Sequence, residues 1–295
     1  MKKSLIFILC ALVALVTLSC SKKDSNEPDE PQVVNNQDVQ KVTFNVAPFQ
    51  QTTEPLGAPA VRKAPIYDGE GTEATNALTD LFIFDDTVKI LHQKNTDPDF
   101  GTAELTLTHG QHNLSVIMTR STGISVDTGV IAMTSIRPTF GKLVPINVTK
   151  NTGNQAITVD RLTGLFSVTI NDVFPTTANE IEFVIDPKYN QLDVTTLQGV
   201  NGGEWSQRVS CASKVGQSGV EYHFNTILPS LTSETTADVT LNIYDAKGKV
   251  IYSVKIEGVR MASNTKTLLS GNLFTGTGTT IVVNTTWNQD IVGDF

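Results

Sequence analysis

From Val39 onward, apolar and polar residues alternate with a period of two, the spacing at which side chains leave opposite faces of a β-strand. Val42, Phe44 and Val46 share one face of such a run. Leu105 and Leu107 repeat the pattern, and Leu114, Val116 and Met118 resume it after His109-Gly110-Gln111-His112. Two alternating runs about a glycine-containing turn predict a hairpin at 109–112. Val239, Leu241 and Ile243 lead into Asp245-Ala246-Lys247-Gly248, and Val250, Tyr252, Val254 and Ile256 lead out of it. This is the clearest predicted hairpin. Leu81-Phe82-Ile83-Phe84 is apolar at every position, which predicts a central strand covered on both faces. Helical signals are confined to Asp186–Leu197, with room for a turn or two.

Strand candidates separated by turn residues recur along the whole chain, the spacing of a sandwich or barrel. No fixed short period appears, which argues against a propeller or solenoid. The fold class is therefore all-β. Glu54 to Asn76 is a long loop holding Pro55, Pro59, Pro65, Gly57, Gly69 and Gly71, with Arg62-Lys63 at its middle. Lys150 to Gln155 is weakly patterned, and a fresh strand run follows from Leu165 to Ile170. These breaks predict two β-sandwich domains, 39–154 and 155–295.

The N-terminus follows a different pattern. Met1-Lys2-Lys3 precedes an apolar run from Leu5 to Leu18, short of the roughly 18–20 residues a membrane-spanning helix needs. It ends at Ser19-Cys20, and Ser21 to Gln37 is polar, Pro-containing and free of aromatics. The expected layout is a signal peptide over 1–19 and a disordered tether over 20–38. A small residue before a cysteine at the end of such a run resembles the lipobox of bacterial lipoproteins. That resemblance implies cleavage between Ser19 and Cys20, a diacylglycerol on the Cys20 thiol, and acylation (palmitate) of the new amino group. The match is relaxed, because the aliphatic Leu18 stands two places before the cysteine and Thr17 stands three before it. An ordinary cleaved signal with an incidental cysteine is the alternative. Several acyl chains would hold the protein stably to a membrane.

Charge removes one class of partner. A formal net charge of -8 and a pI near 5.0 argue against nucleic acid, which requires clustered Lys and Arg. With Cys10 and Cys20 in the leader, only Cys211 belongs to the folded part, so the fold must rest on its core and not on disulfides.

Enzyme signatures are absent from the sequence. His109 and His112 flank a turn with no acidic or cysteine partner at metal-ligand spacing. Gly216-Gln217-Ser218-Gly219 lacks the pattern of a nucleophile elbow. The glycines of 271–278 open no helix that could cradle phosphate. Asp172, Asp186 and Asp193 occur singly in turn-like contexts, where Asp serves the backbone. No catalytic residue, metal or cofactor is expected. Asp86-Thr87-Val88 resembles an O-glycan acceptor pattern. Trp205 and Trp287 are either sugar-stacking platforms or core residues.

One resemblance covers nearly the whole mature chain. It is carried by the order of the lipoprotein signal, the strand near Val42, the Pro-rich loop and Asn76-Ala77-Leu78-Thr79-Asp80-Leu81-Phe82-Ile83-Phe84. Val159-Asp160-Arg161-Leu162-Thr163-Gly164-Leu165-Phe166 and Asn264-Thr265-Lys266-Thr267-Leu268-Leu269-Ser270-Gly271-Asn272-Leu273-Phe274 follow, and Trp287 lies in the last strand. This order resembles the Bacteroidales fimbrillin superfamily, above all its fimbrium-anchoring subunits. The resemblance implies two transthyretin-like sandwiches, a place in a fimbrium at the outer membrane, and subunits joined by β-strand addition. The partner would be a fimbrial stalk subunit, and the candidate donor strand carries Ile281, Val283, Thr285 and Trp287. In stalk subunits of that family a protease cuts after the first strand; here the candidate site is Arg62-Lys63, and an ordinary basic pair on a solvated loop is the alternative. An uncut chain would be the lipid-anchored base subunit, and a cut one a stalk or accessory subunit. A surface glycan-binding lipoprotein is the alternative from another class.

Overall fold

β-Branched and aromatic residues fit a pleated, half-buried surface, and strands dominate accordingly. The computed structural model describes residues 38–48, 78–275 and 291–294, in which nineteen strands and one short 3-10 turn (Ala212–Lys214) form the regular structure.

The first module contains β1 (Val39–Pro48), β2 (Asp80–Asp85), β3 (Val88–Lys94), β4 (Thr102–Thr108), β5 (Gly110–Thr119), β8 (Thr139–Val148) and β9 (Gln155–Arg161). Its strand order is β3-β2-β5-β8-β9-β1-β4. β8 and β9 touch only at Phe140–Arg161 and Gly141–Asp160. There the sheet folds into two layers, β3-β2-β5-β8 and β9-β1-β4. Val42, Phe44, Leu105 and Leu107 from one layer meet Leu81, Ile83, Leu114 and Val116 from the other in a single core. β9 lies beyond the 154/155 break read from the sequence, yet it is bonded into this first module.

The predicted hairpin at 109–112 does not form. β4 pairs with β1, whereas β5 pairs with β2 and β8 in the facing layer, so the chain crosses between layers at His109-Gly110. Alternation reports which side of a strand is buried. It is blind to whether the next strand lies beside the first or across the core from it.

The second module comprises β10 (Thr163–Ile170), β11 (Glu180–Lys188), β14 (Gly203–Ser210), β15 (Val220–Ile227), β16 (Thr235–Tyr244), β17 (Val250–Met261), β18 (Lys266–Gly271) and β19 (Ile291–Asp294). Its layers are β15-β10-β18-β19 and β14-β11-β16-β17. The β16–β17 hairpin forms as predicted. The module repeats the first in topology. β10 runs antiparallel to β15 and parallel to β18, as β1 does to β4 and β9.

A shared four-stranded sheet joins the modules: β13 (Gln198–Val200), β12 (Gln191–Asp193), β7 (Val130–Ser135) and β6 (Thr122–Asp127), in that order. The stretch 186–197 therefore holds a strand and a turn in place of the expected helical turns. Asp193 accepts the N–H groups of Thr195 and Thr196 and so closes that turn. Phe82, Phe84 and Ile117 of the first module pack on Leu192 of β12 and on Val194 and Leu197 of the turn that follows it. The fully apolar Leu81–Phe84 run is thereby explained, since its alternate residues enter two different cores. Gly141 marks a tight approach, because a Cβ there would stand 2.8 Å from Leu162 Cδ1 and 3.2 Å from Leu197 Cδ1. Gly141→Val is expected to cost about 1–3 kcal/mol by overpacking, read as a lower denaturation midpoint.

Candidate functional site

The strand addition expected from the sequence would draw on strands near the two ends of the fold, of which β1 and β19 are described. β1 is bonded on both sides. It runs antiparallel to β4 from Val39–Thr108 to Asn45–Thr102, and parallel to β9 from Phe44–Gln155 to Pro48–Val159. Val42 and Phe44 are fully buried, and Val46 nearly so. Withdrawing β1 would strand main-chain donors and acceptors on both neighbours and bare the core beneath, each orphaned polar group costing roughly 1–3 kcal/mol.

β4 is held in place where it crosses to β5. His112 Nδ1 lies 2.6 Å from Asp85 Oδ2 at the end of β2, and its Nε2 lies 2.9 Å from the Thr108 carbonyl. Burial opposes the imidazolium, but the Asp85 carboxylate and the Thr108 carbonyl outweigh it and raise the His112 pKa. This ion pair ties the end of β2 to the crossover between the layers.

At the other terminus, β19 lies parallel to β18, from Thr267–Ile291 to Ser270–Asp294. The point at which the chain departs from β18 is anchored. Asp172, just after β10, accepts the N–H groups of Leu273 at 3.1 Å, Phe274 at 2.5 Å and Thr275 at 3.0 Å. The Phe274 ring meets both Phe174 and Tyr252 edge-on, at 5.1 Å in each case. Asp172 thus serves the backbone as its sequence context predicts. Asp172→Ala is expected to remove roughly 1–3 kcal/mol of local stability. Hydrogen exchange should then show the 273–275 amides losing about tenfold or more of their protection while β16 and β17 keep theirs.

Ser19, Cys20, Arg62, Lys63, Ile281, Val283, Thr285 and Trp287 lie outside the described residues. Thr87 of the Asp86-Thr87-Val88 motif sits exposed in the tight turn between β2 and β3. Trp205 is partly buried on β14 against the second core, edge-on to Phe224. The sequence reading missed its neighbour Lys188, whose Nζ lies 3.2 Å from the centre of the indole. The readable signal was Asp186-Pro187 at the end of an alternating run, since proline inside a strand marks an edge or a bulge.

Taken together, the chain is an all-β protein of two linked, topologically repeated sandwiches. No family model matches it, nor does any curated protein. Solved structures do. A candidate adhesin from Bacteroides ovatus ATCC 8483 superposes with a TM-score of 0.50 over 82% of this chain and 88% of that one, at 10% identity. The fimbrial anchor protein Mfa2 from Porphyromonas gingivalis gives 0.41 over 74% and 82%, at 12% identity. A candidate polysaccharide-binding protein from Bacteroides thetaiotaomicron VPI-5482 gives 0.43 over 72% and 79%, at 11% identity. The first of these likenesses establishes a shared fold.

Proposed function

We propose that this chain is a non-enzymatic structural subunit of a cell-surface fimbrium: the base subunit, held to the outer membrane by lipid on Cys20 and joined to a stalk subunit by β-strand addition. The observation that carries the reading is the position of β1. It begins at Val39, nineteen residues after Cys20 in the sequence, and lies between β4 and β9 with its apolar face in the core. A lipid on Cys20 would therefore be tethered to an inner strand of the sandwich. Tension along the tether would load two ladders of hydrogen bonds in shear. That suits a base subunit that keeps its first strand. The fold shared with the Bacteroides ovatus adhesin candidate supports the same reading. Strand addition draws on the free sheet edges, where an incoming strand gains main-chain bonds along its length.

Mass spectrometry of the protein extracted from membranes tests the assignment. An acylated peptide starting at Cys20, with the chain continuous through Arg62-Lys63, is expected. A new N-terminus at Lys63 or Ala64 would make the chain a processed stalk or accessory subunit. An unacylated Cys20 would remove the anchor altogether. Capture of a fimbrial subunit from the same membranes is the expected partner result.

A further inference from the structure

The second sandwich is open along one side, between edge strands β14 and β15, and a cavity of about 360 Å³ occupies the opening. The 134–137 segment, which ends β7 of the shared sheet and runs on beyond it, closes one end of it, so the cavity lies beside the sheet that joins the two modules, a common location for ligand sites. In a chain with 30 acidic and 22 basic residues, this cavity is lined by Lys188, Arg137 and His223 and by no Asp or Glu.

Lys188 is there because of a backbone irregularity. Ile181, Phe183 and Ile185 of β11 point into the core, and regular alternation would turn Lys188 outward. Between Ile185, opposite Trp205, and Lys188, opposite Gly203, β11 carries one extra residue. The bulge reverses parity, and Lys188 becomes 92% buried (8% exposed). Re-aiming a side chain beside a site is a recurrent use of bulges. Among the described residues its ammonium has no hydrogen-bond or carboxylate partner, only the Trp205 face at 3.2 Å and Phe224 at 5.9 Å. A buried ammonium resting on an indole for want of an anion is poorly compensated, since a cation–π contact supplies only about 0.5–2 kcal/mol. His223, by contrast, is already engaged by Ser167 at 3.0 Å and Glu221 at 3.4 Å.

The rest of the wall indicates what the anion rides on. Trp205, Tyr222 and Phe224 supply flat apolar surface, and the amides of Asn190 and Gln207 supply donors and acceptors together. A polar rim on aromatic walls suits a hydroxylated ring better than an alkyl chain, and the volume lies at the small end of ligand pockets, roughly 300–1,000 Å³. We propose that this cleft binds a single carboxylate-bearing sugar unit, a uronic or sialic acid, with Lys188 as the carboxylate's partner and the aromatic wall against the ring. The site is independent of the fimbrial assignment.

Calorimetric titration of the full mature chain, made soluble by Cys20→Ala, tests the proposal with D-glucuronate, N-acetylneuraminate, glucose and acetate as probes. At least one of the two sugar acids is expected to bind at about millimolar Kd or tighter, with glucose and acetate each about tenfold weaker or worse. Lys188→Met, which keeps the packing, is expected to lose about tenfold or more of the sugar-acid affinity. Four results would overturn the proposal: no binding of either sugar acid, equal binding of glucose, equal binding of acetate, or undiminished binding by a folded Lys188→Met chain.

Discussion

Lys188→Met is expected to stabilise the unliganded protein by about 1–4 kcal/mol at pH 6, because it removes a buried charge that has no anionic partner among the described residues. Burial pushes the Lys188 pKa down to about 7 from its ordinary 10.5. Between those values the unfolded chain holds a proton that the folded chain has released. Stability therefore rises with pH across about pH 7 to 10.5, and the penalty is fully present below pH 7. At about 1.4 kcal/mol per pH unit that window amounts to as much as ~5 kcal/mol, part of which the indole contact offsets. Denaturant unfolding at pH 6 and pH 9 measures it. Wild type should gain stability between the two, and Lys188→Met should lose most of that gain. Lys89→Met, on exposed β3, should change stability by less than about 0.5 kcal/mol at either pH. A Lys188→Met chain less stable than wild type at pH 6 would mean that the ammonium has a compensating partner.

The second large effect is expected at the first strand. Phe44 is fully buried between the layers of the first sandwich. Phe44→Ala should cost about 3–5 kcal/mol, through lost transfer energy and the cavity left behind. Asn45→Ala, one residue along on the exposed face, should stay within about 0.5 kcal/mol. Because β1 is the first described strand after Cys20, the proposed lipid site, the loss has a functional readout. Cells carrying Phe44→Ala are expected to retain acylated chain while shedding fimbrial material under shear, if the base subunit carries load through β1. Unchanged retention together with a confirmed loss of stability would show that tension does not pass through this strand.

Much of the fold was legible from side-chain parity alone. Val42, Phe44 and Val46 were read as one buried face, and they are one. Leu81–Phe84 was read as covered on both sides, and its alternate residues do enter separate cores. The β16–β17 hairpin was legible because its turn is short and local, with Asp245 accepting the N–H groups of Lys247 and Lys249. Strand identity and local turns follow from interactions between residues close in the chain, and these the sequence determined. It also carried the acidic balance.

The partner of each strand was decided only in three dimensions. β4 and β5 are separated by one residue and still belong to different layers, since both a hairpin and a crossover satisfy the same alternation. The repeat relating the two sandwiches was not read from the sequence, because topology constrains burial parity and not side-chain type. Lys188 shows the same limit at a candidate site. One extra backbone residue, visible in the sequence only as Asp186-Pro187, reverses which face a lysine occupies. Its surroundings come from β7, β14 and β15, segments tens of residues away. Long-range pairing sets burial, and burial sets the electrostatics, so the character of that cleft was a property of the tertiary structure alone.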